Sequence, residues 1–232
     1  MNDRLLVALD TPDVAHAYQL MAQVAPHCGG FKVGKTLFYA CAAAGSSPLE
    51  LVRGGFLDLK LHDIPQQVHG AVLALLPLAP RWLSVHATGG PAMIRAAREA
   101  ADTAGEARPL ILAITILTSL TPGDIRRMGF QGGLAFHTLR LAKSALAAGA
   151  DGVVCSVAHV AELRRKLGDA VLLTPGIRPP GAPDDDHAFT AAPREAVALG
   201  ADLIVVGRPI TGAEDPGEAA KMISEDLTRK EG

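Results

Sequence analysis

Little in this chain ties it to a metal, a membrane or a nucleic acid. Its 232 residues include only three cysteines, Cys28, Cys41 and Cys155, scattered without metal-ligand spacing. An odd count argues against a disulfide framework, and all three read as small buried hydrophobes. No apolar run reaches the ~18 residues that span a bilayer. The opening MNDRLLVALD lacks the basic region, apolar stretch and cleavage site of a signal peptide, so cytoplasmic residence is expected. A formal net charge of −2 gives no electrostatic reason to expect nucleic acid or an anionic membrane as partner. Aromatic residues are scarce at 4%, but 49% of the chain is hydrophobic, which excludes general disorder. No linker, charge block or low-complexity segment divides it. The length suits a single large α/β domain.

What is present is alternation. Short apolar runs recur at LLVAL (5–9), GFKVG (30–34), FLDLK (56–60), WLSVH (82–86), LILAITIL (110–117), DGVVC (151–155), AVLLT (170–174) and DLIVVG (202–207). Most lack clean polar alternation, as strands buried on both faces do. Between them lie alanine- and leucine-rich helical stretches that open near proline or aspartate and stop at glycines such as Gly149, Gly168 and Gly200. Eight strand–helix pairs over residues 1–232 predict a single-domain (β/α)₈ barrel, with an open doubly wound sheet as the alternative. The segment TPGIRPPGAPDDDHAFTAAP (174–193) is too long and irregular for a routine connection and reads as a lid or an insertion.

In such a barrel the chemistry gathers where strands end, and unusual polar residues fall there. Asp10 follows the first run and, before Thr-Pro, also suits a helix cap. Lys32 lies in the second run and could send its ammonium to solvent along an apolar stem. His86, closing the fourth, reads as a hydrogen-bonded core histidine. Thr118 and Ser119 follow the fifth. In the third run Asp58 and Lys60 are two apart and share a face, while Leu57, Leu59 and Leu61 take the other. Asp63 begins the turn before Pro65. A structural ion pair is one explanation, but a buried pair adds little net stability once desolvation is counted. Two acids flanking a lysine at a barrel mouth fit function better. TPGIRP and VVGRPIT place Arg178 and Arg208 beside glycines after the seventh and eighth runs, where barrels commonly hold a phosphate and arginine can bind it through several hydrogen bonds. The residues point to a phosphorylated small molecule with an Asp–Lys–Asp array at its reacting end. They do not name the reaction.

The element Asp58-Leu-Lys60-Leu-His-Asp63-Ile64-Pro65 resembles the D-x-K-x-x-D-I-P signature of the orotidine 5′-phosphate decarboxylase family. LLVALD, FKVGKTLF, HATGG, LTSL, TPGIRP and VVGRPIT follow that family's order along the whole chain. The resemblance implies a (β/α)₈ homodimer of de novo pyrimidine biosynthesis. It would convert orotidine 5′-monophosphate to uridine 5′-monophosphate and CO₂ without a metal or organic cofactor. It implies Lys60 as proton donor at pyrimidine C6, Asp58 beside the departing carboxylate, and Asp63 supplied by the neighbouring subunit to an array with Lys32. Asp10 and Lys32 would meet the ribose, Thr118 the pyrimidine edge, and Arg178, Gly207 and Arg208 the phosphate, with a loop at about 176–192 closing over it. Ile64 would join the substrate-binding positions. Two positions depart from the family pattern. His187 replaces a glutamine that bridges base and phosphate, and its charge varies near neutral pH. Gln67 replaces a threonine expected at the partner's ribose. Two other readings remain. A metal-dependent sugar-phosphate decarboxylase or aldolase would want several oxygen ligands converging on Mg²⁺. A binding-only nucleotide barrel would be marked by loss of Lys60 or an aspartate, and all are present.

Overall fold

The computed structural model describes residues 3–179 and 190–228. Its strands are β1 (Leu5–Ala8), β2 (Gly30–Gly34), β3 (Phe56–Leu61), β4 (Trp82–His86), β5 (Leu110–Ile114), β6 (Gly152–Val154), β7 (Val171–Thr174) and β8 (Leu203–Val206). Each pairs in parallel with the next, and β1 pairs with β8 through Leu5↔Ile204, Leu6↔Val205 and Val7↔Val206. That pairing closes the barrel and rules out the open sheet. All eight expected strands are present. The fifth is shorter than its apolar run: β6 offers only three residues, so the ladder ends at Ile114↔Val154 and residues 115–119 enter the loop above.

Alternation along the strands separates two cores. Leu6, Ala8, Phe56, Leu112, Ile114 and Val205 fill the barrel interior. Leu5, Val7, Leu57, Leu83, Ile111 and Val206 pack outward beneath the helices, because successive strand residues point to opposite faces. The predicted stops hold: Gly149, Gly168 and Gly200 follow Leu134–Ala147, Val157–Leu167 and Pro193–Ala198 with φ of +102°, +61° and +109°. Short helices at Leu49–Val52, Pro122–Arg127 and Arg208–Thr211 were not expected from periodicity. Among the described residues no helix is long and apolar enough to cross a membrane. All three cysteines are buried and free. Burial pushes the Cys155 thiol up to about 12, so it stays protonated and inert at neutral pH.

At the N-terminal end of the barrel one arrangement occurs twice. Asp151, just before β6, accepts from Ile111 N–H on β5 (2.8 Å) and from both terminal nitrogens of Arg108 (2.9 and 2.7 Å). Arg98 of the Gly90–Asp102 helix reaches Asp151 and the Gly149 carbonyl, both at 3.2 Å. Asp202, just before β8, accepts from Leu172 N–H on β7 (2.8 Å) and from Arg164 (2.5 Å), which also donates to the Gly200 carbonyl. Each aspartate follows Gly-Ala, so a Gly-Ala-Asp corner with an arginine from an earlier helix locks a β–α–β unit. Asp151→Ala leaves a guanidinium and an N–H without their acceptor. We expect a loss of about 3 kcal/mol, or about 6–12 °C in Tm, with kcat unchanged. Thermal unfolding alongside steady-state kinetics checks both halves.

Candidate active site

Above the inner core, at the C-terminal end of the strands, opens a cavity of about 550 Å³ floored by Ala8, Phe56, Ile114 and Val205. Nine of the residues singled out in the sequence line it: Asp10, Lys32, Asp58, Lys60, Thr118, Ser119, Arg178, Gly207 and Arg208. They come from positions far apart in the chain, and barrel closure brings them together.

Asp10 does not cap the helix that follows. Asp13 does, its side chain accepting from His16 N–H at 3.0 Å at the start of Val14–Val24. That leaves both Asp10 oxygens for the Lys32 ammonium, at 2.6 and 2.7 Å. The Ala8↔Lys32 register sets the two side by side. Lys32 is 90% buried on its side chain whereas Asp10 is 54% exposed, so the carboxylate keeps a face towards the cavity. Gly34 makes room for this pair. A Cβ there would lie 2.8 Å from Asp10 Oδ1 and 3.2 Å from Lys32 Nζ, while the Gly34 φ of −89° suits any residue. Gly34→Ala should therefore fold normally yet displace the pair, with KM raised about tenfold or more. Steady-state kinetics with a melting curve decides this; an unchanged KM would discount the pair's role.

Asp58 and Lys60 both project inwards from β3, and Leu57 and Leu59 pack in the outer core, as two-residue spacing required. Lys60 Nζ lies 2.5 Å from Asp58 Oδ2. Asp58 is the more enclosed partner, with 9% of its side chain exposed against 33% for Lys60. The backbone here departs from a regular strand. Lys60 has φ +51°, a left-handed conformation that L-residues other than glycine, asparagine and aspartate seldom adopt. Between Leu57↔Leu83 and Leu61↔Val85 the chain advances four residues on β3 for two on β4. Sequence reasoning passed over Ser84, which accepts from Lys60 N–H at 2.8 Å and donates to Asp58 Oδ1 at 2.9 Å. The available signal was alternation in WLSVH, which puts Ser84 on the face of Trp82, towards the barrel interior.

On the far side of the ring, Arg178 follows β7 and Arg208 follows β8. Arg178 is buried; its backbone N–H bonds to the Ala191 carbonyl (2.9 Å), and Ile177 and Ala191 form a parallel bridge. The bridge ties residue 177 to residue 191 across the base of the long segment. Gly176, at φ +80°, makes the turn into it that a side chain would oppose. His187 lies outside the described residues, as do residues 180–189 of the expected closing loop.

Three of the expected site residues lie elsewhere. Asp63, Ile64 and Gln67 are exposed and do not line the cavity of their own chain. Asp63 Oδ1 accepts from Ile64 N–H at 2.6 Å at the entry to the Pro65–Leu75 helix, and Ile64 is 61% exposed. Nearby, His86 Nδ1 accepts from Thr88 N–H (3.3 Å) and lies 2.7 Å from Thr88 Oγ1. Burial, with His62, Lys60 and Lys35 adding repulsion, lowers its pKa to about 4, so it is a neutral hydrogen-bonded histidine. Among the described residues no three of His, Cys, Asp and Glu converge as metal ligands.

Comparison with known proteins agrees along nearly the whole length. Residues 3–223 match the model of the orotidine 5′-phosphate decarboxylase / HUMPS family. The chain is 45% identical to the orotidine 5′-phosphate decarboxylase of Rhodospirillum rubrum, over 96% of this chain and 93% of that one. It is 46% identical to that of Thermobifida fusca, over 97% and 96%. Among solved structures it is similar to the orotidine 5′-phosphate decarboxylase of Lactobacillus acidophilus, with a TM-score of 0.81 and 35% identity over 97% of this chain and 99% of that one. An uncharacterized conserved protein of Geobacillus kaustophilus gives a TM-score of 0.80 at 31% identity, over 97% and 100%. A closed barrel, a lysine paired with an aspartate at its mouth and relatives of this closeness lead to one family: the chain belongs to the orotidine 5′-phosphate decarboxylase / HUMPS family.

Proposed function

We propose that the protein converts orotidine 5′-monophosphate to uridine 5′-monophosphate and CO₂, with Lys60 as proton donor and with no metal or organic cofactor. The observation that carries this reading is the Asp58–Lys60 pair at the mouth of the cavity. Its supporting context is the order of polar groups around the ring. Arg208 and Arg178 follow β8 and β7, Asp10 follows β1, Lys32 lies in β2, and Asp58 and Lys60 in β3. The substrate has the same order, phosphate, ribose, then the pyrimidine carbon that reacts.

When the C6–carboxylate bond breaks, its electron pair stays on an sp² carbon, where the ring delocalises it poorly. The Lys60 ammonium stabilises that developing charge and then gives C6 its proton, leaving a neutral amine that solvent reprotonates. Asp58 holds the Lys60 ammonium in place and faces the departing carboxylate. Arg178, Gly207 and Arg208 hold the phosphate, the arginines through several hydrogen bonds each. Binding energy gained at the phosphate can then serve the reaction at the other end. Thr118 meets the pyrimidine edge, while Asp10 and Lys32 take the ribose hydroxyls.

The protein acts as a homodimer in this reading. Asp63, exposed on its own chain, completes the partner's Asp–Lys array, and Ile64 and Gln67 enter the partner's site beside it. Ultraviolet absorbance tests the reaction directly. Purified protein mixed with orotidine 5′-monophosphate in EDTA is expected to give the spectrum of uridine 5′-monophosphate. No conversion by folded protein would overturn the assignment, and conversion only with added Mg²⁺ would overturn its cofactor independence.

A further inference from the structure

Ser84 stands in the middle of β4, fully buried, opposite the place where β3 leaves regular pairing. Its hydroxyl accepts the Lys60 backbone N–H and donates to Asp58 Oδ1. The other oxygen of that carboxylate takes the Lys60 ammonium. A closed circuit thus runs from the Lys60 amide through Ser84 and Asp58 to the Lys60 side chain. Every link in it ends on one of the two groups assigned to the chemistry.

The circuit has a physical logic. The two-residue shift against β4 takes the Lys60 N–H out of the ladder, and a buried N–H needs an acceptor. A left-handed lysine persists only where its surroundings hold it there. A hydroxyl suits both needs, because it offers one donor and two acceptor positions at once. Donation to Oδ1 also fixes the plane of the carboxylate, so that Oδ2 is presented to Nζ. Ser84 itself does not line the cavity.

We propose that Ser84 is a positioning residue of this active site: acting through the Lys60 amide and the Asp58 carboxylate, it sets where the ammonium stands relative to the reacting carbon. The proposal rests on the decarboxylase reading. It predicts an effect on the chemical step and not on substrate affinity, since misplacing a catalytic group by an ångström can cost about 100-fold in rate.

Ser84→Ala, which loses the hydroxyl, and Ser84→Thr, which keeps it, are compared with wild type. The readouts are kcat, KM, Tm and the hydrogen-exchange rate of the Lys60 amide. In the alanine variant kcat should fall about 30- to 100-fold, with KM within about threefold. Lys60 amide exchange should accelerate beyond that of Leu57 and Val85. Threonine should recover kcat to within about tenfold of wild type; should it fail to fold, the exchange pattern and the kcat-against-KM split in the alanine variant decide. A Ser84→Ala enzyme with kcat within about threefold of wild type overturns the proposal, as does one whose exchange rises uniformly through the barrel. Failure of the decarboxylase reading would show differently, as wild-type protein without turnover, and would remove the catalytic claim even if Lys60 alone lost protection.

Discussion

Lys60→Ala is expected to lower kcat by about 10⁵-fold or more while the protein stays folded. On the proposed decarboxylase reading, two contributions disappear together. Without the ammonium, charge developing at C6 has no opposite charge beside it, and no acid of suitable reach can deliver the proton. General acid catalysis is worth about 10²–10⁴-fold and a preorganised electrostatic contact about 10²–10³-fold, so a group that does both carries their combination. Phosphate and ribose contacts are untouched, so substrate or product should still bind. Single-turnover absorbance measurements and a product-binding titration separate the two. Lys60→Gly is the informative control. Both variants lose the chemistry, but glycine adopts φ +51° freely, and it should be more stable than the alanine variant by about 1 kcal/mol. Alanine and glycine variants of equal Tm would show that the left-handed residue carries no strain.

Mixing two inactive variants should restore activity. Lys60→Ala and Asp63→Ala are each expected to be nearly inert as homodimers. Refolded together in equal amounts, half of the dimers are mixed. In a mixed dimer one site receives both substitutions and the other receives neither, if Asp63 serves its partner. One intact site in every second dimer gives about a quarter of wild-type activity for a twofold-symmetric pair. If Asp63 acted within its own chain, no combination would contain an intact site, and the mixture would stay as inactive as its parents. The motivation is geometric: Asp63 is three residues from Lys60, yet it is exposed and absent from the lining of its own cavity.

Much of this arrangement was legible in the sequence because it depends on local rules. Short apolar runs without polar alternation revealed all eight strands, and two-residue spacing put Asp58 and Lys60 on one face. What escaped was set by pairing between strands. Asp10 could be read as a cap because Asp-Thr-Pro looks like a helix start; only the Ala8↔Lys32 register shows that a lysine 22 residues away takes its carboxylate. The conformation of Lys60 is invisible in FLDLKL, since it arises from a slip of β3 against β4. Ser84 looked like an ordinary strand residue for the same reason. Asp63, Ile64 and Gln67 are recognisable by motif, but their chain alone does not bring them to the cavity.

The paired Gly-Ala-Asp corners beneath β5–β6 and β7–β8 bear on how such a protein can change over time. They brace the floor of the barrel, at the opposite end from the cavity, and none of their side chains lines it. The roof, by contrast, tolerates a left-handed lysine and a charge-lined cavity. A lineage carrying this floor has stability in reserve when the loops above it vary. The chemistry at the roof can then drift or be re-engineered, residue by residue, before the foundation gives way.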